Sequence, residues 1–360
     1  MKIILNLFAV FFVLNCYSQK NMDTIYGNPK SVKLEIYFLE KSVPKVYTEY
    51  HGDIFRNISR YRIMNIKNLY RRNKVSYINY QMFFNEKKLK EKEIWYNYPD
   101  EIERGIYYSY DKNENLIEKK EVFFDDVFYL QKKYYSKSNR VIASSRYFSD
   151  TPNEFIHWYY FRNKDGKLIK IKSINDEGKI STNNYELNQK GEVVREFGIR
   201  QPNWRFPQNK SNSFNKEITK VEYIYNKNGN RILQLNYNTT SNRIYSKHVS
   251  KFDNQNNLIE KVIFVKQKDT TKQKLRRYKY NNDNYRVYEE DIDLDGFIST
   301  SIMTSYNNED CIIKTIHFEN DTTSIFDFKY KFDRKGNWTK ITKIVNGEPL
   351  YIWTRKIKYY

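Results

Sequence analysis

Cysteine is almost absent from this chain: only Cys16 and Cys311 are present. Cys16 lies in a segment that reads as a leader. Cleavage after Ser18 leaves Cys311 alone, which excludes an intrachain disulfide and leaves stability to packing. Histidine is also scarce, at His51, His157, His248 and His317. None stands at metal-ligand spacing from another His or Cys, so zinc chemistry of the usual kinds is excluded. There is no Gly-x-Ser-x-Gly elbow, no Gly-rich phosphate loop and no Cys-x-x-Cys, which removes the commonest hydrolase, nucleotide and redox signatures. No long amphipathic helix can be traced, and beyond residue 18 no run is apolar enough to span a membrane as a helix.

Tyrosine and asparagine are abundant instead, and they recur. An aromatic residue is followed by Asp or Asn, then two or three polar residues, then Gly or Asn, then an apolar pair. Clear copies start at Tyr110-Asp111, Tyr225-Asn226, Phe252-Asp253 and Phe332-Asp333. Looser ones start at Phe84, Tyr135, Arg162, Leu187, Tyr280 and Tyr306. The steps are 25–28 residues, apart from one of 38. A fixed period of this size marks a repeat architecture. A second turn cluster falls midway in each unit, for example Asn175-Asp176-Glu177-Gly178 and Asn346-Gly347. Asn, Asp and Gly tolerate positive φ and suit tight hairpin turns. Between turns run eight to ten residues of alternating strand formers, such as Phe326, Phe328 and Tyr330 against Asp327, Lys329 and Lys331; period two means two distinct faces.

The expected fold is all-β: a repetitive antiparallel meander of stacked hairpins, about 20 strands, curved by strand twist into an open sheet or partial shell. The expected organisation is a signal peptide at 1–18, a divergent N-terminal β region at 19–83, and repeats over 84–360. The long step comes from an insertion at 198–216 carrying Pro202, Trp204, Phe206 and Pro207, read as a surface loop. Tyr360 falls one repeat step after Phe332, so the chain is expected to stop at a unit boundary with no sorting or effector domain beyond it.

Lys2, the apolar run Ile3–Leu14 and the exit Cys16-Tyr17-Ser18 form the leader, with cleavage before Gln19. The expected location is therefore the periplasm, the outer membrane surface or the exterior. A lipoprotein anchored through Cys16 is the lesser alternative, because Leu14 and Asn15 stand where a lipobox has small residues. The formal charge is +20. That excess is spread along the repeats, and Lys, Asn, Tyr and Ile are all favoured by A+T-rich codons, so specific nucleic-acid binding is not expected.

One local pattern competes with the repeat. Asp291, Asp293 and Asp295 alternate before Gly296, as in the first half of a calcium loop, but Ile302 stands where the bidentate Glu belongs. The segment also falls where a mid-unit turn is due. It is read as a hairpin turn, with Asp291, Asp293 and Asp295 kept as the one metal candidate. No catalytic or cofactor-binding residues are assigned, and no cofactor is expected. The paired aromatics Tyr108 and Tyr110, Tyr223 and Tyr225, Tyr278 and Tyr280, and Phe328, Tyr330 and Phe332 are read first as contacts between repeats and second as a platform for sugars or peptides.

The pieces Tyr225-Asn226…Gly229-Asn230-Arg231-Ile232 and Tyr330-Lys331-Phe332-Asp333…Gly336-Asn337-Trp338 resemble the YD-repeat, or Rhs-type, family. The chain is more similar to the small exported members from Bacteroidetes-type bacteria than to the giant toxins, and MORN-like repeats have a shorter unit. Large members of the family build β-sheet shells around a toxin. That role does not carry over, because no segment is left for a cargo domain. The function expected is a non-catalytic repeat protein of the cell envelope that binds a glycan, peptide or protein partner on its curved face. The alternative is a hydrolase of envelope polymers using paired carboxylates.

Overall fold

The computed structural model describes residues 25–39, 46–48, 63–65, 80–96, 102–123, 126–149, 155–199, 217–267, 270–293, 295–319 and 321–360. The leader at 1–18 with Cys16, most of the N-terminal region to 83, and the body of the insertion from 200 to 216 lie outside the described residues. Twenty-four strands and no helix are found among the described residues.

Twenty-two strands form one sheet. From Tyr80–Phe84 to Glu348–Tyr359, each strand pairs antiparallel with the next in sequence. The expected meander is therefore present, but the expected open sheet or partial shell is wrong. The strand Pro29–Phe38 pairs on one side with Glu348–Tyr359, placing Val32 opposite Ile357 and Leu34 opposite Arg355. On its other side it pairs with Tyr80–Phe84, placing Val32 opposite Met82 and Leu34 opposite Tyr80. One strand thus joins the two ends of the meander and closes a 22-stranded barrel. The physical reason is the edge: an open sheet leaves two rows of unpaired N–H and C=O groups, and only closure removes both. A ring of this many strands is roughly 35–40 Å across. A separate short pair, Val46–Thr48 with Ile63–Asn65, completes the strands.

The repeated turn explains the sequence motif position by position. At Asp111–Asn115 the N–H of Asp111 donates to the Asn115 carbonyl and the N–H of Glu114 to the Asp111 carbonyl. The Asp111 carboxylate accepts the N–H groups of Asn113 and Asn115 at 2.9 Å. The same scheme returns at Asn226, Asp253, Asn281, Asn307 and Asp333. Asp or Asn is favoured at the first residue because its side chain satisfies two donors that no strand reaches; Ser136 fills the place in one turn and accepts only the Arg140 N–H. The fourth residue has positive φ, as in Asn256, Asn284, Gly229 and Gly336, which costs least for Gly and little for Asn.

The aromatic that precedes the turn has its own task. The hydroxyl of Tyr110 donates to the Lys90 carbonyl at 2.8 Å, Tyr135 to Leu116 at 3.0 Å, Tyr225 to Val193 at 2.8 Å and Tyr280 to Leu258 at 3.0 Å. In each case the acceptor is the first residue of the neighbouring strand, beside the bulge left by the preceding turn. The tyrosine ties the open ends of each hairpin together.

The apolar core gathers at the seam. Val32, Leu34, Phe326, Phe328, Trp338, Ile341, Val345 and Trp353 are buried against one another, each worth about 1.5–3 kcal/mol relative to exposure. At its rim, Asn337 is 1 % exposed. It accepts the Tyr26 N–H at 2.6 Å and donates to the Tyr26 carbonyl at 3.1 Å. The Tyr360 hydroxyl reaches the Phe84 carbonyl at 2.6 Å.

Two outcomes follow from this construction. Deleting Ile352–Tyr360 removes the strand that holds Pro29–Phe38 and opens the ring; the truncated chain should aggregate and melt earlier, and a monomer of unchanged heat stability would contradict closure through this seam. Tyr280→Phe removes one hairpin tie and should lower unfolding free energy by about 1 kcal/mol, measured by urea denaturation.

Candidate functional site

The two faces of the wall differ in crowding. Along Ile156–Arg162, Trp158 and Tyr160 are half-buried while His157, Tyr159 and Phe161 are exposed. Along Thr322–Phe332, Phe326 and Phe328 are buried while Lys329 and Lys331 are exposed. Side chains converge inside a closed sheet and splay outside it, so the crowded face is the concave one. The pairing register carries that face around the ring, through Trp95, Ile106, Tyr129, Trp158, Glu196, Tyr223, His248, Arg276 and Phe326.

The concave face carries a set of polar and aromatic patches. In the first, Glu93 accepts the Tyr108 hydroxyl at 3.0 Å and the Trp95 indole N–H at 3.3 Å, with Lys90 also bonded to it. Trp95 stacks on Tyr80 at 4.6 Å, and the Arg104 guanidinium lies 5.7 Å from the Trp95 ring. Burial, then the Glu93 charge, pushes the Tyr108 hydroxyl far above its ordinary range. In the second, Arg146 lies 4.9 Å from the Trp158 ring, and Ser144 and Tyr160 share a hydrogen bond of 3.0 Å.

The third patch sits at a bulge. The strands Val193–Ile199 and Glu217–Tyr225 slip register between Glu196 and Phe197. Lys220, the extra residue, donates to the Asn183 amide oxygen at 2.8 Å. Asn183 in turn donates to the Tyr185 hydroxyl at 2.8 Å, and Tyr223 donates to Glu196 at 2.8 Å. Arg231 covers the Tyr223 ring at 3.8 Å. Burial lowers the Lys220 ammonium against the pull of Glu196, and burial with the Glu196 hydrogen bond pushes Tyr223 up to about 12. In the fourth patch, Asp291 accepts from Lys274 at 2.7 Å and from Arg276 Nη2 at 3.0 Å.

The structure sorts the residues singled out in the sequence. The paired aromatics Tyr108 and Tyr110, Tyr223 and Tyr225, Tyr278 and Tyr280, and Phe328 and Tyr330 all point to the concave face. Asp291 does too, as a strand residue held by two cations. Asp293 opens the hairpin turn, with its carbonyl accepting the Gly296 N–H at 3.0 Å, and Asp293 and Asp295 are exposed. Among the described residues no three His, Cys, Asp or Glu side chains are gathered as a metal site. His157 is exposed on the convex side and His317 is buried in the concave face near the seam; His51 lies outside the described residues. Sequence reading missed Glu93, Arg146 with Trp158, and the Lys220 network. Their i, i+2 spacing was visible, but charged and aromatic residues alternate on both faces, so spacing alone did not single them out.

The convex face is charged at mid-strand as well, at Lys120, Lys132, Lys172, Glu222, Lys247, Arg277 and Lys329. A Lys or Arg facing lipid at mid-bilayer costs about 2–4 kcal/mol. With charges on both sides, neither face of the described strands is built to contact lipid tails. No helix of the described residues is long and apolar enough to cross a membrane.

No protein-family model matches the chain, and no curated protein matches it in sequence. Among solved structures it is similar to a chain of the TcdB2-TccC3-TEV crystal structure, at 10 % identity and a TM-score of 0.40 over 80 % of this chain and 17 % of that one. It is also similar to a chain of the Tc holotoxin pore of Photorhabdus luminescens, at 10 % identity and a TM-score of 0.24 over 76 % and 19 %. A porin-like protein from Bacteroides uniformis matches at 10 % identity and a TM-score of 0.23, over 92 % of this chain and 96 % of that one. The chain spans about a fifth of the length of the toxin chains it resembles. Likenesses this distant leave function to the residues of this chain.

The Asp291 ion pairs make a pH prediction. Burial raises the Asp291 carboxyl, but the hydrogen bonds from Arg276 and Lys274 outweigh it and hold the group below its ordinary value of 3.8. A depressed carboxylate contributes stability that is present above the unfolded value and is lost as pH falls through the folded one. Asp291→Asn should therefore lower unfolding free energy at pH 7 by about 1–3 kcal/mol. Its deficit against the parent chain should shrink below pH 4 in denaturant titrations.

Proposed function

We propose that this chain is an exported, non-catalytic barrel of the cell envelope that binds a glycan or peptide chain along its concave face. The observation that carries the reading is the combination of aromatic rings with cations and hydroxyl or amide groups beside them, repeated around one face. Trp95 with Arg104, Trp158 with Arg146 and Tyr223 with Arg231 each offer an apolar plate and a charged edge. Sugars present an apolar C–H face and hydroxyl edges and suit such plates; a cation beside the ring adds affinity for acidic groups. Export is supported by the leader pattern at Lys2, Ile3–Leu14 and Cys16–Ser18.

The hydrolase reading needs two free carboxylates facing each other across a substrate. Among the concave carboxylates with described contacts, Glu196 accepts the Tyr223 hydroxyl, and the others are held by cations: Glu93 by Lys90, Glu121 by Arg104 and Lys119, Glu289 by Arg286, and Asp291 by Lys274 and Arg276. Paired with cations, they neutralise the wall rather than deliver protons.

The test is an array of envelope glycans and peptides probed with the purified chain and with Trp158→Ala/Arg146→Ala. Retention of one polymer class, weakened at least about 10-fold in the double variant with an unchanged melting temperature, is the expected result. Turnover of a glycan, abolished by a single Asp or Glu change, would overturn the non-catalytic reading.

A further inference from the structure

The two rims of the barrel are built differently. One rim holds the ten tight turns of the repeat, beginning at Asn85, Asp111, Ser136, Asn163, Asn188, Asn226, Asp253, Asn281, Asn307 and Asp333. Long connections leave from and return to the other rim, since Phe38, Tyr80, Ile199 and Glu217 all end or begin strands there.

Charge on the tight-turn rim is sorted into two arcs. Three consecutive turns, Asp253–Asn257, Asn281–Tyr285 and Asn307–Cys311, carry four acids and no Lys or Arg. The other seven turns carry eleven Lys and Arg against six acids. Six of the seven follow one another in the meander, and closure adds the seventh: Asp333–Asn337 is far from Asn85–Leu89 in sequence, yet only the seam strands separate them in the ring. At these seven turns the second and third positions, such as Lys112, Lys137, Lys164 and Lys227, are exposed.

On this rim the exposed aromatic rings keep to the same arc, although Phe297 and Tyr245 are exposed at the other rim. Tyr134, Phe161 and Phe332 each stand within two residues of a basic turn, and Tyr26 and Tyr360 stand at the seam between two of them; all are 38–52 % exposed. On the acidic arc the exposed large apolar residues nearest the turns are Ile259, Met303 and Ile313, with no ring among them.

We propose that the basic arc of this rim docks the barrel on the surface of an anionic phospholipid bilayer. Lys and Arg near such a surface are drawn to the headgroups, and Tyr and Phe settle at headgroup depth. The shape favours a surface over a soluble polymer. Turn tips spread around a rim can meet a plane together, whereas a linear polyanion follows only a few neighbours at a time. The acidic arc is repelled, so the barrel stands tilted, with the turns at Asp253, Asn281 and Asn307 lifted away. The wall stays out of the tails, in keeping with its charged convex face.

The experiment is flotation of the purified chain with vesicles of phosphatidylcholine alone or with 30 mol % (about one lipid in three) phosphatidylglycerol, at low and high salt. Binding is expected only to the anionic vesicles and only at low salt, where screening is weak. A variant with Lys112, Lys137, Lys164 and Lys227 all changed to Glu should partition about 100-fold less or worse. The same charge change at Lys247, Lys266, Lys279 and Lys314, on the strands of the acidic arc, should matter far less. Tyr134→Ser/Phe161→Ser should weaken binding and leave its salt dependence intact. Circular dichroism melts confirm that each variant is folded. Absence of vesicle binding at low salt, equal loss in both quadruple variants, or capture by dextran sulfate without capture by the vesicles would each overturn the proposal. None of these outcomes bears on polymer binding by the concave face.

Discussion

A single strand, Pro29–Phe38, holds the architecture. Every other strand pairing in the large sheet is between sequence neighbours, and such a meander has no internal reason to stop or to close. Pairing of Val32 and Leu34 with Met82 and Tyr80 on one side, and with Ile357 and Arg355 on the other, turns it into a ring. The packing follows the topology. Most of the deeply buried apolar residues, Val32, Ile341 and Trp353 among them, lie in this seam, while most side chains elsewhere in the wall remain half-exposed. The seam behaves as the barrel's core, and the rest of the wall is held by hydrogen bonds along strands, ties across hairpins and contacts between turns.

Those turn contacts form a second system. The fifth residue of one turn reaches across the fourth residue of the next. Asn115 donates to Asn139 at 3.2 Å, Asn230 to Asn256 at 2.8 Å and Asn257 to Asn284 at 2.8 Å. At Gly166, Gly191 and Gly229 a long side chain from the preceding turn, Arg140, Lys167 or Glu192, comes close instead; at Gly166 a Cβ would collide with the Arg140 guanidinium, and φ is +77°. At these turns the choice between Asn and Gly at the fourth place matches what the preceding turn brings to it. An Asn offers an acceptor and a Gly offers space.

This explains how much could be read from the sequence. The turns and the strand alternation were legible because their chemistry is local: Asp111 satisfies Asn113 and Asn115 within its own turn. The hairpin ties were half legible; the aromatic in the motif was evident, but the carbonyl accepting its hydroxyl lies about 20 residues earlier. Closure was not legible at all, since Pro29–Phe38 lacks the repeat motif and its partner strand lies more than 300 residues away. The acid string at Asp291 was legible as a turn only from the repeat period. Its first carboxylate belongs to the strand and to Arg276, a pairing that depends on register across Thr270–Tyr280.

Closure also decides what the surface can do. In an open sheet the turns at Asp333 and Asn85 would sit at opposite ends of the molecule, and the basic turns would form two separate groups. Joined through the seam, they become one arc facing one way, with the acidic turns opposite. Likewise, closure crowds the concave side chains of neighbouring strands together, so cations and carboxylates half-buried there interact more strongly than they would on an open, fully wetted sheet. The ion pairs at Glu93, Glu121 and Asp291 are all made within a strand or between adjacent strands: opposite walls of a ring this wide lie several screening lengths apart, so the charge of the lining has to be neutralised locally, by register, rather than across the lumen.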